Sequence, residues 1–465
     1  MNSSDKQLTV SDLSADQREA HDRVLAWIRD INASPILTLG GLAGCGKTAL
    51  LGVIGRSCGV SPIAYATYTG KAASVLKRKL IAAGINTTGR MQSAEDKEES
   101  VNVIPDNIPY CGTIHGLIYA PIEDAECATC GHVERRHNRN NNTGILDACE
   151  GCPCKLYVAK STGRVNGWRR RDTLDRAYKL IALDEASMIS DDILEDLQSF
   201  NIPLLAVGDH GQLPPVGGLG TLVQNPDIRL EKIHRQAEGS PIIRKSRMIR
   251  DTGKLNPATM RHGDTIVFDR IANLQKHIEQ RYKGASTARL FELGLISGTN
   301  KRRISLNQAV RKALGRSGPP TPGEQVICLR NMRERGIYNG MRGVIEEVTS
   351  MSEMGRPWCM TAEVRFPEEG ITDTVSMCMR QFNREKAFNS FEELAEFNIF
   401  PAKWDDVGGL FDFGYALTAH RCQGSSYEDA MVIAADWMGN DADTKARWLY
   451  TSATRAVSKL TILTP

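Results

Sequence analysis

No run of about 18 apolar residues occurs anywhere in this 465-residue chain, which argues against a membrane-spanning helix. The opening stretch, MNSSDKQLTVSDLSADQREAHDRV, lacks a charged segment followed by an apolar one and does not read as a secretory leader. The expected location is therefore cytoplasmic. In that reducing setting, paired cysteines read as metal ligands or redox groups before disulfides. Net charge is small, +3, so no bulk excess of one sign points to nucleic acid. A polyanion binder can still balance its total and gather its cations in one channel. Basic clusters at 77–79, 135–136, 169–171 and 301–303 leave that open, and each reads equally well as a solvated patch. The chain has no internal repeat, no long low-complexity tract and no separate acidic cluster of the nuclease kind.

What is present is an ordinary globular balance, 41% hydrophobic and 24% charged, over a length that suggests roughly three domains. The first third alternates short apolar runs with amphipathic ones, the pattern of an α/β fold. SDLSADQREAHDRVLAWIRDI (11–31) opens on capping residues and continues with apolar positions at helical spacing. PILTLG (35–40) and SPIAYAT (61–67) read as strands, GKAASVLKRKLIAAG (70–84) as a helix, and 85–110 as loop. Two further apolar runs, in KLIALDEASMI (179–189) and IPLLAVGDHGQLPPV (202–216), end in acidic residues. In a parallel sheet such carboxyl ends are where ligands bind. A second α/β region starts after 225, and a β-rich stretch at about 320–412, with a YNGMRG turn, interrupts it.

GLAGCGKT (41–48) fits the phosphate-loop pattern G-x-x-x-x-G-K-[ST] between a strand and a helix. Its glycines, Gly44 and Gly46 among them, let backbone N–H groups turn toward phosphate oxygens, and the following helix adds its positive end. Gly44, Cys45, Gly46, Lys47, Thr48 and Ala49 are the expected nucleotide contacts. Lys47 should reach the β- and γ-phosphates and the Thr48 hydroxyl should ligate Mg²⁺. Asp184 and Glu185, at the end of an apolar run, suit a metal-holding carboxylate and a group that orients or deprotonates the attacking water. ATP with Mg²⁺ is the expected cofactor pair.

With these motifs in order, the chain resembles the superfamily 1 helicases, specifically the 1B (RecD/Dda-like) branch that moves 5′→3′. The resemblance covers roughly 11–235 and 290–462. It implies that Gln17 reads adenine, that Gln212 in GDHGQLPPVG senses the γ-phosphate, and that Arg235 and Arg455 approach that phosphate from a second motor domain. Gly424 in YALTAHRCQGSSYE (415–428) is implied at the nucleotide. Thr67, Thr69, Lys71, Thr113, His115, Thr418 and His420 are implied at single-stranded DNA. The implied architecture is α/β, with two RecA-like P-loop motor domains at 1–225 and 226–465. A Cys-rich insertion (about 118–175) would interrupt the first and an SH3-like β-barrel (about 320–412) the second. The implied function is ATP-dependent 5′→3′ DNA unwinding by a monomer acting on single strands and forks, in phage or mobile-element replication or recombination, with proteins of those processes as partners. Two other readings stay open: a translocase or RNA helicase that does not unwind DNA, and a partner-binding subunit of a recombination complex.

Five of the 12 cysteines fall within residues 127–154. Cys127 and Cys130 form one C-x₂-C pair, and Cys149 with Cys152 another, at a spacing typical of zinc sites. Cys154 is a spare candidate. A [4Fe–4S] cluster is the rival metal, and unrelated free thiols the remaining alternative. A metal would substitute for the core that so small a module lacks and stiffen a basic wedge, with Arg135, Arg136 and Arg139, near the strand-splitting pin. Metal analysis of the purified chain is expected to return about one zinc per molecule. Replacing Cys127 and Cys130 by serine is expected to remove it and to weaken unwinding while sparing single-strand binding. Normal unwinding by the metal-free variant would rule out the wedge.

Overall fold

The computed structural model describes the chain except residues 1–7, 31, 88–107, 128–136, 140–145, 150–158, 215–221, 233–238, 333–334, 354–356, 389–392, 394–406 and 437–440; within 121–168 it gives strand paths without side chains. Two parallel sheets form the body. The first has the strand order β10-β1-β9-β8-β2-β3. Its members are β1 (Ile36–Gly41), β2 (Ile63–Thr67), β3 (Tyr110–Thr113), β8 (Leu180–Asp184), β9 (Leu204–Gly208) and β10 (Ile228–Leu230). Every residue of β2, β8 and β9 is buried, which is why these strands read as unbroken apolar runs: a parallel sheet is covered on both faces. The second sheet, in the order β11-β20-β19-β12-β18, contains β11 (Ile266–Arg270), β12 (Leu293–Ser297), β18 (Ala416–Thr418), β19 (Tyr427–Ile433) and β20 (Ala456–Thr464). All its pairings are parallel.

The helices start where the sequence says they should. In α1 (Ala15–Arg29) the Gln17 carbonyl oxygen accepts from the Ser14 backbone N–H at 3.1 Å, half of the reciprocal capping seen in S-x-x-Q starts. α2 (Lys47–Ser57) follows the left-handed Gly46 directly. α3 (Gly70–Ala82) is capped by Thr69, whose hydroxyl accepts from Ala72 N–H at 3.2 Å. Thr113 does the same for the short α4 (Ile114–Ile118) at 3.1 Å to Gly116.

Between β3 and β8 lies a long hairpin of β4 (Tyr119–Cys127) and β7 (Ala159–Arg170), with a smaller pair, β5 (His137–Arg139) and β6 (Leu146–Cys149), between them in sequence. Cys127 and Cys149 lie on these strands with side chains not described; Cys130, Cys152 and Cys154 lie outside the described residues, as do Arg135 and Arg136.

A third, antiparallel sheet interrupts the second parallel unit, in the order β16-β15-β14-β13-β17. It comprises β13 (Gln325–Cys328), β14 (Arg342–Ser350), β15 (Cys359–Phe366), β16 (Ile371–Cys378) and β17 (Phe411–Phe413). It shares one apolar cluster with the parallel sheet beneath: Val326, Phe366 and Phe411 pack in the same group as Leu293, Leu295, Met431 and Leu463. Helix α5 (Asn300–Ala313) stitches the two together. The Asn307 side chain bonds Phe413 O (3.0 Å) and accepts from Ala416 N–H (2.8 Å), while Arg303 meets Asp412 at 2.6 Å. Arg303 and Asp412 are both buried, so the basic cluster 301–303 is in part an internal ion pair and not a surface patch. Replacing Asp412 by alanine strands the guanidinium in the core and is expected to cost about 3–5 kcal/mol in urea unfolding. The double change Arg303→Met with Asp412→Leu should recover much of that loss.

Candidate nucleotide and nucleic-acid sites

The carboxyl ends of β1, β9 and β8 lie side by side, and the acidic and glycine-rich segments that follow them meet there. Gly44 and Gly46 adopt φ of 86° and 72°, the left-handed region in which a side chain is strained. The loop thereby curls over the start of α2. The Lys47 ammonium donates to the carbonyls of Gly41 (2.6 Å) and Leu42 (3.2 Å), holding the charge inside the loop. The Thr48 hydroxyl donates to Asp184 Oδ2 at 3.1 Å, and the other Asp184 oxygen accepts from Glu185 N–H at 2.9 Å. Glu185 itself takes a positive φ of 54°. A non-glycine residue in that conformation marks a position the surroundings over-determine. Burial pushes the Glu185 carboxyl upward, the Asp184 charge adds to the shift, and Arg455 and Lys47 oppose it.

These groups line a cavity of about 650 Å³ with Ala49, Asp209, Gln212 and Arg455, a volume in the range of small-molecule sites. Gln212 is anchored by its amide N–H to Asp209 Oδ2 (3.2 Å), while its buried carbonyl oxygen has no partner among the described residues. Such an orphan suits a group waiting for a ligand or water. Arg455 arrives from the second parallel unit, with its guanidinium tied to Thr451 O, Ser425 O and Thr454 Oγ1. Thr48 and Asp184 present hard oxygen donors, which suits Mg²⁺ held by few protein ligands and completed by phosphate and water. Among the described residues no group of three or more His, Cys, Asp or Glu could hold a metal.

Three expected nucleotide contacts are not among the residues lining this cavity. The Cys45 side chain packs into the core of the first motor half. Gln17 is buried with both ends of its amide in use, Oε1 on Ser14 N–H and Nε2 on Cys45 O at 3.0 Å; its place is set by capping α1 and bracing the phosphate loop. Gly424 faces α3, where a Cβ would lie 3.6 Å from the Ala72 Cβ. Arg235 lies outside the described residues.

Of the residues expected at a strand, Thr67 is buried and its hydroxyl donates to Thr69 O (2.9 Å), while Thr69 and Thr113 serve as caps. His115 is half-buried in an aromatic row, 6.2 Å from the Tyr68 ring and 5.1 Å from that of Tyr119. Tyr119 is in turn bonded to Asp196. Thr418 is buried at the end of β18, and burial lowers the His420 pKa, favouring neutral imidazole. Lys71 is paired with Glu368 at 3.1 Å.

Sequence reasoning missed Tyr450. Its hydroxyl, on helix α6 (Ala442–Ala453) of the second motor half, accepts from the phosphate-loop N–H of Ala43 (2.6 Å) and donates to Asp209 (2.9 Å). Asp209 lies inside GDHGQLPPVG, quoted above, and Tyr450 stands five residues before Arg455, so their nearness to those motif residues was the signal. Tyr68 and Tyr119 had only proximity to His115 to mark them.

The fold and cavity define a two-unit P-loop nucleotide-binding protein. Residues 25–218 match an AAA domain and residues 413–463 the UvrD-like helicase C-terminal domain. The ATP-dependent RecD2 DNA helicase of Deinococcus radiodurans is 25% identical over 309 residues. That match covers 62% of this chain but only 37% of the relative, so the chain spans little more than a third of that protein. Among solved structures, the Pif1 helicase from Candida albicans is similar at 16% identity and a TM-score of 0.48, over 97% of this chain and 94% of that one. The Bacteroides Pif1 helicase in complex with ADP-AlF3 and ssDNA gives 16% and 0.49, over 96% and 94%. These similarities are to helicases, the RecD2 relative and the UvrD-like C-terminal family among them.

Glu185→Gln is expected to lower the rate of ATP hydrolysis about 10²–10⁴-fold while leaving nucleotide binding intact. In the unaltered protein the base must be ionised, so its upward-shifted pKa predicts a rate that falls with acid already above the ordinary glutamate value near ~4.3. A pH–rate profile of kcat checks this, and the rising limb should disappear in the variant.

Proposed function

We propose that this chain is an ATP-driven DNA helicase that hydrolyses ATP between its two parallel α/β units, translocates 5′→3′ on single-stranded DNA and unwinds duplex. The observation that carries the reading is the composite cavity. Lys47, Thr48, Asp184, Glu185 and Gln212 come from the first unit and Arg455 from the second. Charge spreads over the transferred phosphoryl group at the transition state, and an arginine from across a cleft stabilises it only while the cleft is closed. Hydrolysis in such a seam is tied to opening and closing.

In this reading Lys47 neutralises the β- and γ-phosphates, Thr48 and Asp184 hold Mg²⁺, and Glu185 takes the proton of the attacking water. Gln212 orients that water or the γ-phosphate, and Arg455, with Arg235, meets the developing charge. Mg²⁺, when bound, supplies charge neutralisation across the β- and γ-oxygens. The far side of the seam would grip DNA. The N-terminus of α3, carrying Thr69 and Lys71, abuts Gly424 of the second unit, and the Tyr68–His115–Tyr119 row offers ring faces for base stacking. Two grips on units that alternately approach and part produce directional stepping. The antiparallel sheet over Gln325–Phe413 takes the role of the SH3-like module, and the Cys-rich hairpin that of a zinc-stiffened wedge at the fork. RecD2, as named above, is a DNA helicase, and the similarity to it supports DNA as the substrate here.

An unwinding assay on 5′-tailed and 3′-tailed duplexes tests the proposal. Unwinding of the 5′-tailed substrate alone, lost on Lys47→Ala, is the expected result. Activity on the 3′ tail alone would reverse the direction, and activity surviving the lysine change would remove the motor.

A further inference from the structure

Lys71, the second residue of α3, reaches almost no solvent; its side chain is 6% exposed. Its ammonium lies 3.1 Å from Glu368 Oε2, and the other oxygen of the same carboxylate accepts from Arg342 Nη2 at 2.7 Å. Arg342, on β14, is equally buried. The same Nη2 also donates to Phe291 O (3.0 Å), and the guanidinium lies over the rings of Phe291 and Tyr427 at 5.2 and 4.8 Å. Both cations are buried and stand on regular elements, Lys71 on α3 and Arg342 on β14; the carboxylate between them does not. Glu368 rides on the tight turn joining β15 to β16, closed by the N–H groups of Glu369 and Gly370 on Phe366 O, and its side chain is 28% exposed.

A carboxylate bridging two cations in this way presents what a nucleic-acid phosphate presents: one negative charge and two oxygens able to accept from separate donors. The pocket also sits beside the α3 N-terminus, on the strand-facing side of the seam in the function proposed above. Energetics decide how it can open. Two buried cations left without an anion carry a desolvation penalty of several kcal/mol each, so the turn cannot simply lift away. It can be exchanged for another anion at little net cost.

We propose that Lys71 and Arg342 form a phosphodiester-binding pocket that Glu368 fills in the absence of nucleic acid, and that an incoming single strand takes the place of the Glu368 carboxylate. The proposal rests on the DNA-binding reading above and deepens it. Arg342 becomes a strand contact, and the β15–β16 turn an internal competitor that sets the threshold for engaging DNA. Burial and the neighbouring Glu368 charge push the adjacent Glu369 up to about 7, so Glu369 adds less than a full charge to the competition.

The test uses the full chain, without nucleotide, and a fluorescent oligo(dT). In anisotropy titrations Glu368→Gln is expected to bind about tenfold tighter than the unaltered protein, with a salt dependence steeper by about one phosphate contact. Because the substitution could disturb folding, a second measurement needs no variant. On adding oligo(dT) to the native chain, the amides of Glu369 and Gly370 should exchange hydrogen faster as the turn is displaced. Unchanged or weaker binding by a folded Glu368→Gln protein overturns the proposal, as does slower exchange at the turn, which would mean that it closes over the strand. If the native chain itself fails to bind oligo(dT), the DNA-binding reading falls and this proposal with it. That result is distinct, because the other failures leave native binding intact.

Discussion

A tyrosine hydroxyl ties the two parallel units together at the cavity. Tyr450, fully buried on α6, bonds the phosphate loop at Ala43 and the Asp209 carboxylate at once. Burial raises its pKa well above the ordinary value, so the hydroxyl keeps its proton and can donate to Asp209 while it accepts from Ala43. Around it the seam is sewn by backbone contacts. Thr451 accepts from Leu213 N–H, Arg447 donates to the carbonyls of His210 and Gln212, and Gln423 donates to Leu213 O. The phosphate loop and the Asp209–Leu213 segment are thus both held by the second unit. A shift of α6 must move the phosphate loop, the Asp209–Gln212 segment or both, and this is how a two-part site senses its contents.

The same seam explains why Arg455 can be well placed without any anchor in the first unit. Three hydrogen bonds fix it within its own half, so its distance from Lys47 and Glu185 depends only on how the halves meet. The Glu185 carboxyl feels both cations, which pull its pKa down against burial and Asp184. Opening the seam would withdraw Arg455 and leave the base more strongly protonated. In the proposed function, closure would therefore bring Arg455 and a better-ionised Glu185 to the nucleotide together.

Much of this was legible in the sequence because it is local. The strand–loop–helix around GLAGCGKT, the buried runs ending at Asp184 and Gly208, and the caps at Ser14 and Thr69 all follow from short-range pattern and turn chemistry. What was not legible depends on contacts between distant segments. Gln17 has a helix-start role written into S-x-x-Q, yet that role competes with adenine reading for the same amide, and only the fold shows both of its ends engaged. Arg303 looked like part of a surface cluster because nothing near it in sequence announces Asp412, 109 residues on. The resemblance implied Lys71 at a DNA strand, but its ion-pair partner comes from a turn almost 300 residues away. The Cys-rich segment remains a matter of spacing alone, since its thiols lie outside the described side chains.

The linker from the antiparallel sheet back into the motor is very short. β17 ends at Phe413, β18 begins at Ala416, and Asn307 clasps both sides of the joint. With a common apolar interior below it, that joint is no hinge. The antiparallel sheet is welded to its parallel unit, so any rotation of that unit would carry the sheet with it as one body.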